Sequence, residues 1–249
     1  MIRQIEELSI NAWPAFQTMT YGGWVLRFAD GCTRRANSIS PLYTSERNLQ
    51  EQIRECETIY SGKKLPTIFK MIKACQPPEL DAILAQKGYI DEARTSVQLL
   101  NLNIFQFAEE ADVSLSSEMK EDWEEAFYLL NKVDKENQKK HGKILSNIVP
   151  AKCFASIRNK EGRIVSCGLG VLQNKHVGLF DIVTSENCRR QGLGKKLIQQ
   201  ILRWAKEQGA HTSYLQVMKN NMPAQILYNQ LGFKEKYEYW YRVKKLGAK

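Results

Sequence analysis

Six consecutive residues form the segment of this sequence best suited to binding an anion: Arg189, Arg190, Gln191, Gly192, Leu193 and Gly194. They stand before residues 194–208, where apolar side chains recur at helical spacing until Gly209. The first amides of a helix have no partner inside it and lie at the positive end of the helix dipole. Glycines at this point let a bulky ligand approach the backbone without a β-carbon in the way. The segment therefore predicts a phosphate-binding site at the start of a helix.

The residues on either side of this segment predict the elements that position it. Residues 176–184 and 211–217 have the composition of strands, and they flank the glycine turn and the helix. The order strand, turn, helix, strand is typical of a crossover unit in an α/β layer. Residues 153–159 and 163–173 predict a hairpin that turns at Glu161-Gly162.

Two further helices are predicted in this half of the chain. Residues 222–231 predict a short helix with Pro223 near its first turn and Gly232 just past its end, and residues 237–243 predict a final strand. Residues 117–137 predict one long amphipathic helix. The apolar residues of its single face are Met119, Trp123, Phe127, Leu130 and Val133.

The first half of the chain shows a similar mixture of elements. Residues 24–38 predict a hairpin that turns at Asp30-Gly31, residues 49–60 predict a helix that ends before Gly62, and residues 96–103 predict a strand. The short polar stretch 109–117 indicates a boundary. We therefore expect two domains, residues 1–110 and residues 111–249.

A weak internal repeat connects the two halves. Residues 82–89 align with residues 226–233, and they share a glutamine and a glycine that is followed by an aromatic residue. An old duplication of one domain would explain this similarity. Chance would explain it as well, because a helix followed by glycine and an aromatic residue is a common pattern.

The phosphate-binding segment differs from two familiar phosphate loops. It has no Gly-Lys-Ser/Thr ending and no Gly-x-Gly-x-x-Gly run, so it fits neither a nucleoside-triphosphate loop nor a dinucleotide fingerprint. Its pattern Arg-x-x-Gly-x-Gly, followed by Asn221-Met222-Pro223-Ala224 and by residues 227–233 (LYNQLGF), resembles the GNAT superfamily of acetyl-CoA-dependent N-acetyltransferases. The resemblance covers about residues 123–243, and it depends on these strings occurring together and in this order.

The resemblance implies a role for several residues in binding acetyl-CoA. It implies that the amides of residues 189–194, together with Lys195, hold the pyrophosphate, and that Asn221 binds the pantetheine arm. It also implies that the backbone of Ile182, Val183 and Thr184 lies along the pantetheine and the acetyl group. Simpler interpretations stay open, since the glycines could form an ordinary tight turn and Asn221 could be a plain helix N-cap.

Tyr228 and Asp181 are the candidate catalytic residues. The resemblance implies that Tyr228 lies near the sulfur, where a phenol with an ordinary pKa of about 10 could protonate the departing thiolate. Asp181 is a carboxylate among apolar neighbours in the strand before the loop, and it could accept the proton of the attacking ammonium. The alternatives are a Tyr228 ring that only packs its helix and an Asp181 that only makes a structural hydrogen bond. The three histidines, His141, His176 and His211, are expected at the surface or at strand ends.

The resemblance implies an α/β (α+β) fold of two GNAT-like domains, each a mixed, mostly antiparallel sheet flanked by helices. The first half has no Arg-x-x-Gly-x-Gly loop, and the repeat places Leu84 where the second half has Tyr228. We therefore expect the first half to be a degenerate GNAT-like domain that does not bind coenzyme A. Its expected use is to shape the pocket of the acceptor.

Composition excludes several classes of protein. The 249 residues include 43% hydrophobic and 25% charged residues, as in a globular domain, and no run approaches the ~18 apolar residues of a membrane span. The start of the chain lacks a signal pattern, so a cytoplasmic protein is expected. Six scattered cysteines without a Cys-x-x-Cys pair predict reduced thiols and no metal. The net charge of +9 is spread over short basic groups, which makes nucleic acid an unlikely partner.

Three functions follow from these observations. The first is an N-acetyltransferase that passes acetyl from acetyl-CoA to a primary amine, of a small molecule or a peptide, by direct attack in a ternary complex. The second is a non-catalytic protein that binds or senses acyl-CoA. The third is a basic protein associated with RNA or the ribosome, whose nucleic-acid affinity would depend steeply on salt. The sequence identifies neither the acceptor nor the oligomeric state.

Overall fold

A computed structural model describes residues 1–107 and 112–246 of the chain. The chain divides into two compact units, one made of residues 1–96 with residue 237 onward and the other of residues 97–236. The predicted boundary between residues 110 and 111 lies outside the described residues, and the predicted division at that point stays a prediction.

The first unit is a sheet with three helices. Its strands occur in the order β1-β2-β3-β4-β11, with β3 and β4 parallel and the other pairs antiparallel. The elements are α1 (Ile2–Ala12), β1 (Gln17–Tyr21), β2 (Trp24–Phe28), β3 (Ile39–Ser40), α2 (Leu49–Gly62), β4 (Thr67–Ile72), α3 (Leu80–Gln86), the start of β5 (Ile90–Asn101) and most of β11 (Lys234–Lys244).

The second unit has strands in the order β5-β10-β9-β8-β7-β6. Strands β6 to β9 are paired antiparallel in succession, and β10 is parallel to β9. The elements are β6 (Ser114–Ser116), α4 (Glu121–Asn131), α5 (Lys135–Ser146), β7 (Ala151–Arg158), β8 (Ile164–Gln173), β9 (His176–Thr184), α6 (Leu193–Glu207), β10 (Thr212–Met218) and α7 (Met222–Gln230). The prediction of a mixed, mostly antiparallel α/β fold is confirmed.

Helix α6 packs its apolar face into the core of the second unit. The face predicted from the spacing is fully buried, and it consists of Leu197, Ile198, Ile201, Leu202 and Ala205. It packs with residues of β7, β9 and β10. Burying such a face contributes about 25 cal/mol per Å² of apolar surface removed from water, so this packing fixes the start of α6 relative to the sheet.

The prediction of one long helix over residues 117–137 is wrong. The chain forms two helices there, because Lys132 takes a left-handed conformation (φ 54°, ψ 41°) that ends α4. Asp134 then begins α5 as its N-cap, and its side chain accepts a hydrogen bond from the amide of Asn137 at 2.9 Å. The second helix therefore starts after a break at residues 132–134, which the apolar spacing alone did not indicate.

The predicted hairpin over residues 24–38 is also wrong in its second arm. Asp30 and Gly31 do form a turn with positive φ, but the chain continues into a short 3-10 helix, Arg34–Ala36. The loop is held by Asn37, whose side-chain oxygen accepts hydrogen bonds from the amides of Ala29 and Gly31 at 2.7 and 3.0 Å. β2 pairs with β1 and with the two-residue β3 instead.

No helix among residues 1–107 and 112–246 has both the length and the apolar character needed to cross a bilayer. Over the same residues, no group of three or more His, Cys, Asp or Glu side chains is placed to hold a metal ion.

Candidate active site

The loop before α6 has the geometry of an anion-binding site. Gly192 is the N-cap of α6 with φ +78° and ψ 1°, and no side chain of the described residues caps the helix there. The first-turn hydrogen bond runs from the amide of Lys196 to the carbonyl of Gly192 at 3.0 Å. A β-carbon on Gly192 would have no described heavy atom within 4 Å, so the space beside the loop is open. The preceding amides of the first turn are thus available to an anion.

Positive side chains surround this helix start. Arg189, Arg190, Lys195 and Lys196 are all exposed, and the first turn of α6 contains no acidic residue. Nε of Arg189 donates a hydrogen bond at 3.4 Å to the carbonyl of Thr184, the last residue of β9. The helix dipole and these cations together favour a ligand with several negative charges.

Strands β9 and β10 are paired over only part of their length. Their parallel pairs begin at Thr212–His176 and end at Leu215–Leu179, whereas β9 continues to Thr184 and β10 to Met218. The other edge of β9 stays attached to β8, where Ser166 Oγ donates a hydrogen bond to the carbonyl of Val183 at 3.0 Å. The edge of β9 at Ile182–Thr184 is therefore placed to take a ligand backbone in extended form.

The end of β9, the start of α6 and helix α7 meet at Gly194. A β-carbon built on Gly194 would lie 3.5 Å from Thr184 Oγ1 and 3.4 Å from Leu227 Cδ2. The structure thus brings together the predicted loop, the predicted strand edge and the helix that carries Asn221 and Tyr228. Side chains of β9 and α6 belong to the apolar core of the second unit. Leu227 and Tyr228 of α7 are partly buried and pack against that core.

Asp181 lies at a bulge in β9. The pairing with β8 passes from Phe180–Leu169 directly to Val183–Cys167, and Asp181 has φ +53°. A positive φ is uncommon for a residue other than glycine, and such residues concentrate at functional sites. The Asp181 carboxylate is largely buried, and its Oδ2 lies 3.0 Å from Nε2 of His141 on α5.

Tyr228 and Asn221 belong to α7. Burial raises the pKa of Tyr228 to about 12, and its ring lies edge-on against Phe233 with 5.9 Å between centroids. No described residue makes a hydrogen bond to the Tyr228 hydroxyl. Asn221 is the N-cap of α7, and its Oδ1 accepts a hydrogen bond from the amide of Ala224 at 3.3 Å. The capping role of Asn221 is thus present in the structure, and its amide group adds a donor beside the helix start.

Comparison with known proteins decides the family. The family described as "Probable histone acetyltransferase Rv0428c C-terminal" matches residues 1–242. A relative named "Uncharacterized N-acetyltransferase YobR", from Bacillus subtilis (strain 168), is 31% identical over 249 residues, which cover 98% of this chain and 99% of that protein. The chain is a GNAT-superfamily acetyltransferase.

Solved structures share the fold of this GNAT protein. A GCN5-related N-acetyltransferase from Kribbella flavida has a TM-score of 0.74 and 14% identity, and the match covers 98% of this chain and 96% of that one. A tandem GNAT protein from the clavulanic acid biosynthesis pathway has a TM-score of 0.67 and 13% identity, with coverage of 98% and 88%. With 14% and 13% identity, these two structures show a likeness in fold alone.

Sequence reasoning missed the hydrogen-bond partner of Asp181 in this GNAT protein. His141 was expected at the surface or at a strand end, but it is buried on α5 and contacts Asp181. The available signal was the spacing of His141 with Ile144, Leu145 and Ile148, which places it on the apolar face of a separate helix. The single helix that was expected ended at residue 137, so residue 141 was not assigned to a helix and this face was overlooked.

Proposed function

We propose that this GNAT protein transfers acetyl from acetyl-CoA to a primary amine, of a small molecule or a peptide, by direct attack in a ternary complex. The observation that carries the proposal is the start of α6, where Gly192 leaves the helix amides uncapped by side chains and open to an anion. A diphosphate fits this cradle because it offers several oxygens to adjacent amides and cations. The family membership supports the same donor.

The residues proposed to bind acetyl-CoA belong to the loop, to β9 and to the start of α7. The loop residues Arg189 to Gly194, with Lys195, would hold the pyrophosphate. The backbone of Ile182, Val183 and Thr184 would lie along the pantetheine and the acetyl group, and Asn221 would bind the pantetheine arm. The meeting of Gly194 with Thr184 and Leu227 supports this assignment, because it joins the loop, β9 and α7 at one point.

Two side chains would serve the chemical step. The acceptor reaches the site as an ammonium, and Asp181 would accept its proton so that the nitrogen lone pair can attack the thioester carbonyl. The new C–N bond forms and the C–S bond breaks, and the sulfur takes a proton from the Tyr228 hydroxyl. The nitrogen releases its second proton to solvent, and solvent returns a proton to Tyr228 and takes the one held by Asp181, so that one proton is released in each turnover. With a pKa of about 12, Tyr228 is protonated near neutral pH and can act as this donor.

We further propose that the chain is a tandem protein. Residues 1–110 would be a degenerate GNAT-like domain without a phosphate loop, and residues 111–249 would be the acetyltransferase domain. In support, the first unit contains a helix and glycine turn, α3 with Gly88, that resembles the end of α7 with Gly232. Coenzyme binding would belong to the second domain alone.

A panel of amines tests the proposed reaction. Purified protein is incubated with acetyl-CoA and with amino acids, small polyamines, aminoglycosides or peptides, and acetylated amine is counted by mass spectrometry. This readout is preferable to a thiol reagent, because Cys32 and Cys188 are partly exposed and would consume it. We expect acetylated product above background with at least one class. Binding of acetyl-CoA without product from any amine would instead support a protein that binds or senses acyl-CoA.

A further inference from the structure

The contact between Asp181 and His141 joins two elements that are far apart in sequence. Asp181 lies at the bulge of β9 and His141 lies in the second turn of α5, 40 residues earlier. Both side chains are mostly shielded from water, with exposed fractions of 12% and 8%. A carboxylate with so little solvent needs a hydrogen-bond donor, and Nε2 of His141 supplies one at 3.0 Å from Oδ2.

The imidazole of His141 is held in place from its other side by α4. Its ring stacks on Phe127 with 4.7 Å between centroids and 10° between planes, and the ring of Tyr128 meets it edge-on at 5.5 Å. Tyr128 is fixed in turn, because its hydroxyl lies 2.5 Å from Oε1 of Glu124 and 2.8 Å from the carbonyl of Gln138. The ring therefore has one orientation toward Asp181.

Gly142 leaves room for the two side chains of α4 that support His141. A β-carbon at Gly142 would lie 2.6 Å from Oε1 of Glu124 and 3.2 Å from the hydroxyl of Tyr128. A contact under 3.0 Å is not tolerated, so a side chain at position 142 would displace the Glu124 carboxylate from its place beside the Tyr128 hydroxyl. The sequence thus keeps space for the Tyr128–Glu124 pair that supports His141.

Two further titratable groups, Cys167 and Tyr128, respond to the charge of Asp181. Burial, with the negative charge of Asp181 adding to it, raises the pKa of Cys167 on β8 to about 12. Burial raises the pKa of Tyr128 as well, and the charges of Glu124 and Asp181 act in the same direction. Cys167 and Tyr128 are thus neutral acids whose pKa values respond to the charge of Asp181, and Glu124 is bonded to Tyr128.

We infer that His141 is a positioning residue that holds the Asp181 carboxylate for proton abstraction from the acceptor amine. The Nε2–H of His141 donates to Oδ2 and fixes the rotation of the carboxylate, and no described residue makes a hydrogen bond to Oδ1. Oδ1 is then the oxygen that takes the proton from the ammonium. This inference rests on the proposed function, since it assigns the support of the base in that reaction.

Two variants of similar polarity separate positioning from simple packing. The amide nitrogen of glutamine in His141→Gln can take the place of Nε2, whereas the shorter asparagine in His141→Asn does not reach Asp181. We expect H141Q to keep kcat within about threefold of the wild type and H141N to lose about tenfold or more, since misplacing a reacting group is costly. The KM for acetyl-CoA is expected to stay unchanged in both.

The pH–rate profile gives a second readout that packing alone would not move. A hydrogen bond to a carboxylate favours its charged form, so the acidic limb is expected to stay in place in H141Q and to move to higher pH in H141N. Equal kcat and equal profiles in H141Q, H141N and wild type would overturn the inference, and so would equal losses in both variants. A wild type that acetylates no amine would contradict the proposed function itself, and this result is seen before any variant is compared.

Discussion

Leu84 and Tyr228 occupy the same place in two similar helix ends. The amide of Tyr89 donates to the carbonyl of Leu84 at 3.0 Å, and the amide of Phe233 donates to the carbonyl of Tyr228 at 3.0 Å. Each turn then passes through a glycine with positive φ, Gly88 at +80° and Gly232 at +89°. The same turn also ends α6, where the amide of Ala210 donates to the carbonyl of Ala205 at 2.8 Å and Gly209 has a φ of +85°, so it is a general helix ending in this chain. Of the two aligned segments, only the second has a hydroxyl at that place. The proton donor is accordingly proposed for the second copy alone.

Replacing Tyr228 with phenylalanine tests its proposed role as the proton donor. The thiolate of coenzyme A leaves readily, since a related cysteine thiol has a pKa of about 8.5, so the donor is helpful but not essential. We expect Y228F to lower kcat by less than the ~10²–10⁴ typical of general acid–base groups, with an unchanged dissociation constant for acetyl-CoA. Because the pKa of Tyr228 is about 12, its ionisation contributes no basic limb in the pH–rate profile below about pH 11. A kcat equal to that of the wild type would leave Tyr228 with a packing role only.

Asn221 can be tested for a role beyond capping α7. Aspartate is as good an N-cap as asparagine, so Asn221→Asp keeps the hydrogen bond to the amide of Ala224 but removes the amide donor. We expect N221D to retain the melting temperature of the wild type and to bind acetyl-CoA more weakly. Asn221→Ala is the control, since it removes the cap as well and should cost about 1 kcal/mol of stability. Normal acetyl-CoA binding by N221D would show that Asn221 serves only as a cap.

A buried ion pair in the first unit gives a prediction for stability. Lys70 Nζ lies 2.5 Å from Oε2 of Glu6, and the hydroxyl of Tyr237 donates to Oε1 of Glu6 at 2.6 Å. Both charged side chains are buried, with exposed fractions of 6% and 1%. Lys70→Met leaves the Glu6 carboxylate buried without its cation, which is expected to cost about 3–5 kcal/mol. Urea unfolding followed by circular dichroism measures this loss.

The double variant K70M/E6Q is the control for that experiment. It removes both charges and leaves an amide that Tyr237 can still contact, so it should recover most of the lost stability. A loss of under about 1 kcal/mol in K70M alone would show that Glu6 does not depend on Lys70.

Elements with strong local signals were predictable from the sequence. Strand β9 has the predicted bounds, and α6 and α7 agree with prediction to within a residue or two at each end. In α6 the apolar face recurs at helical spacing and Gly209 follows the helix, and in α7 Pro223 and Gly232 mark the two ends. The break between α4 and α5 was missed because it depends on the left-handed conformation of Lys132, and a lysine gives no local signal for that conformation.

Only the part of the candidate site that belongs to a sequence motif could be predicted. The Arg-x-x-Gly-x-Gly string predicted the open helix start at Gly192, which the structure has. The contact between Asp181 and His141 had no such signal, because it depends on a bulge in β9 and on the packing of α5 over a distance of 40 residues. Long-range contacts of this kind are set by tertiary packing and not by spacing along the chain.

The central claim is that the start of α6 binds acetyl-CoA, and isothermal titration calorimetry on a matched pair of variants tests it most directly. Gly192 and Gly162 have nearly equal φ values of +78° and +77°, and a β-carbon at either would have no described heavy atom within 4 Å. Gly192→Leu and Gly162→Leu should thus carry a similar left-handed strain of about 1–2 kcal/mol. We predict that wild type and G162L bind acetyl-CoA at micromolar concentration and that G192L binds at least about tenfold more weakly, a loss of about 1.4 kcal/mol. A wild type that does not bind acetyl-CoA, or a G192L that binds it as tightly as G162L, would contradict the claim.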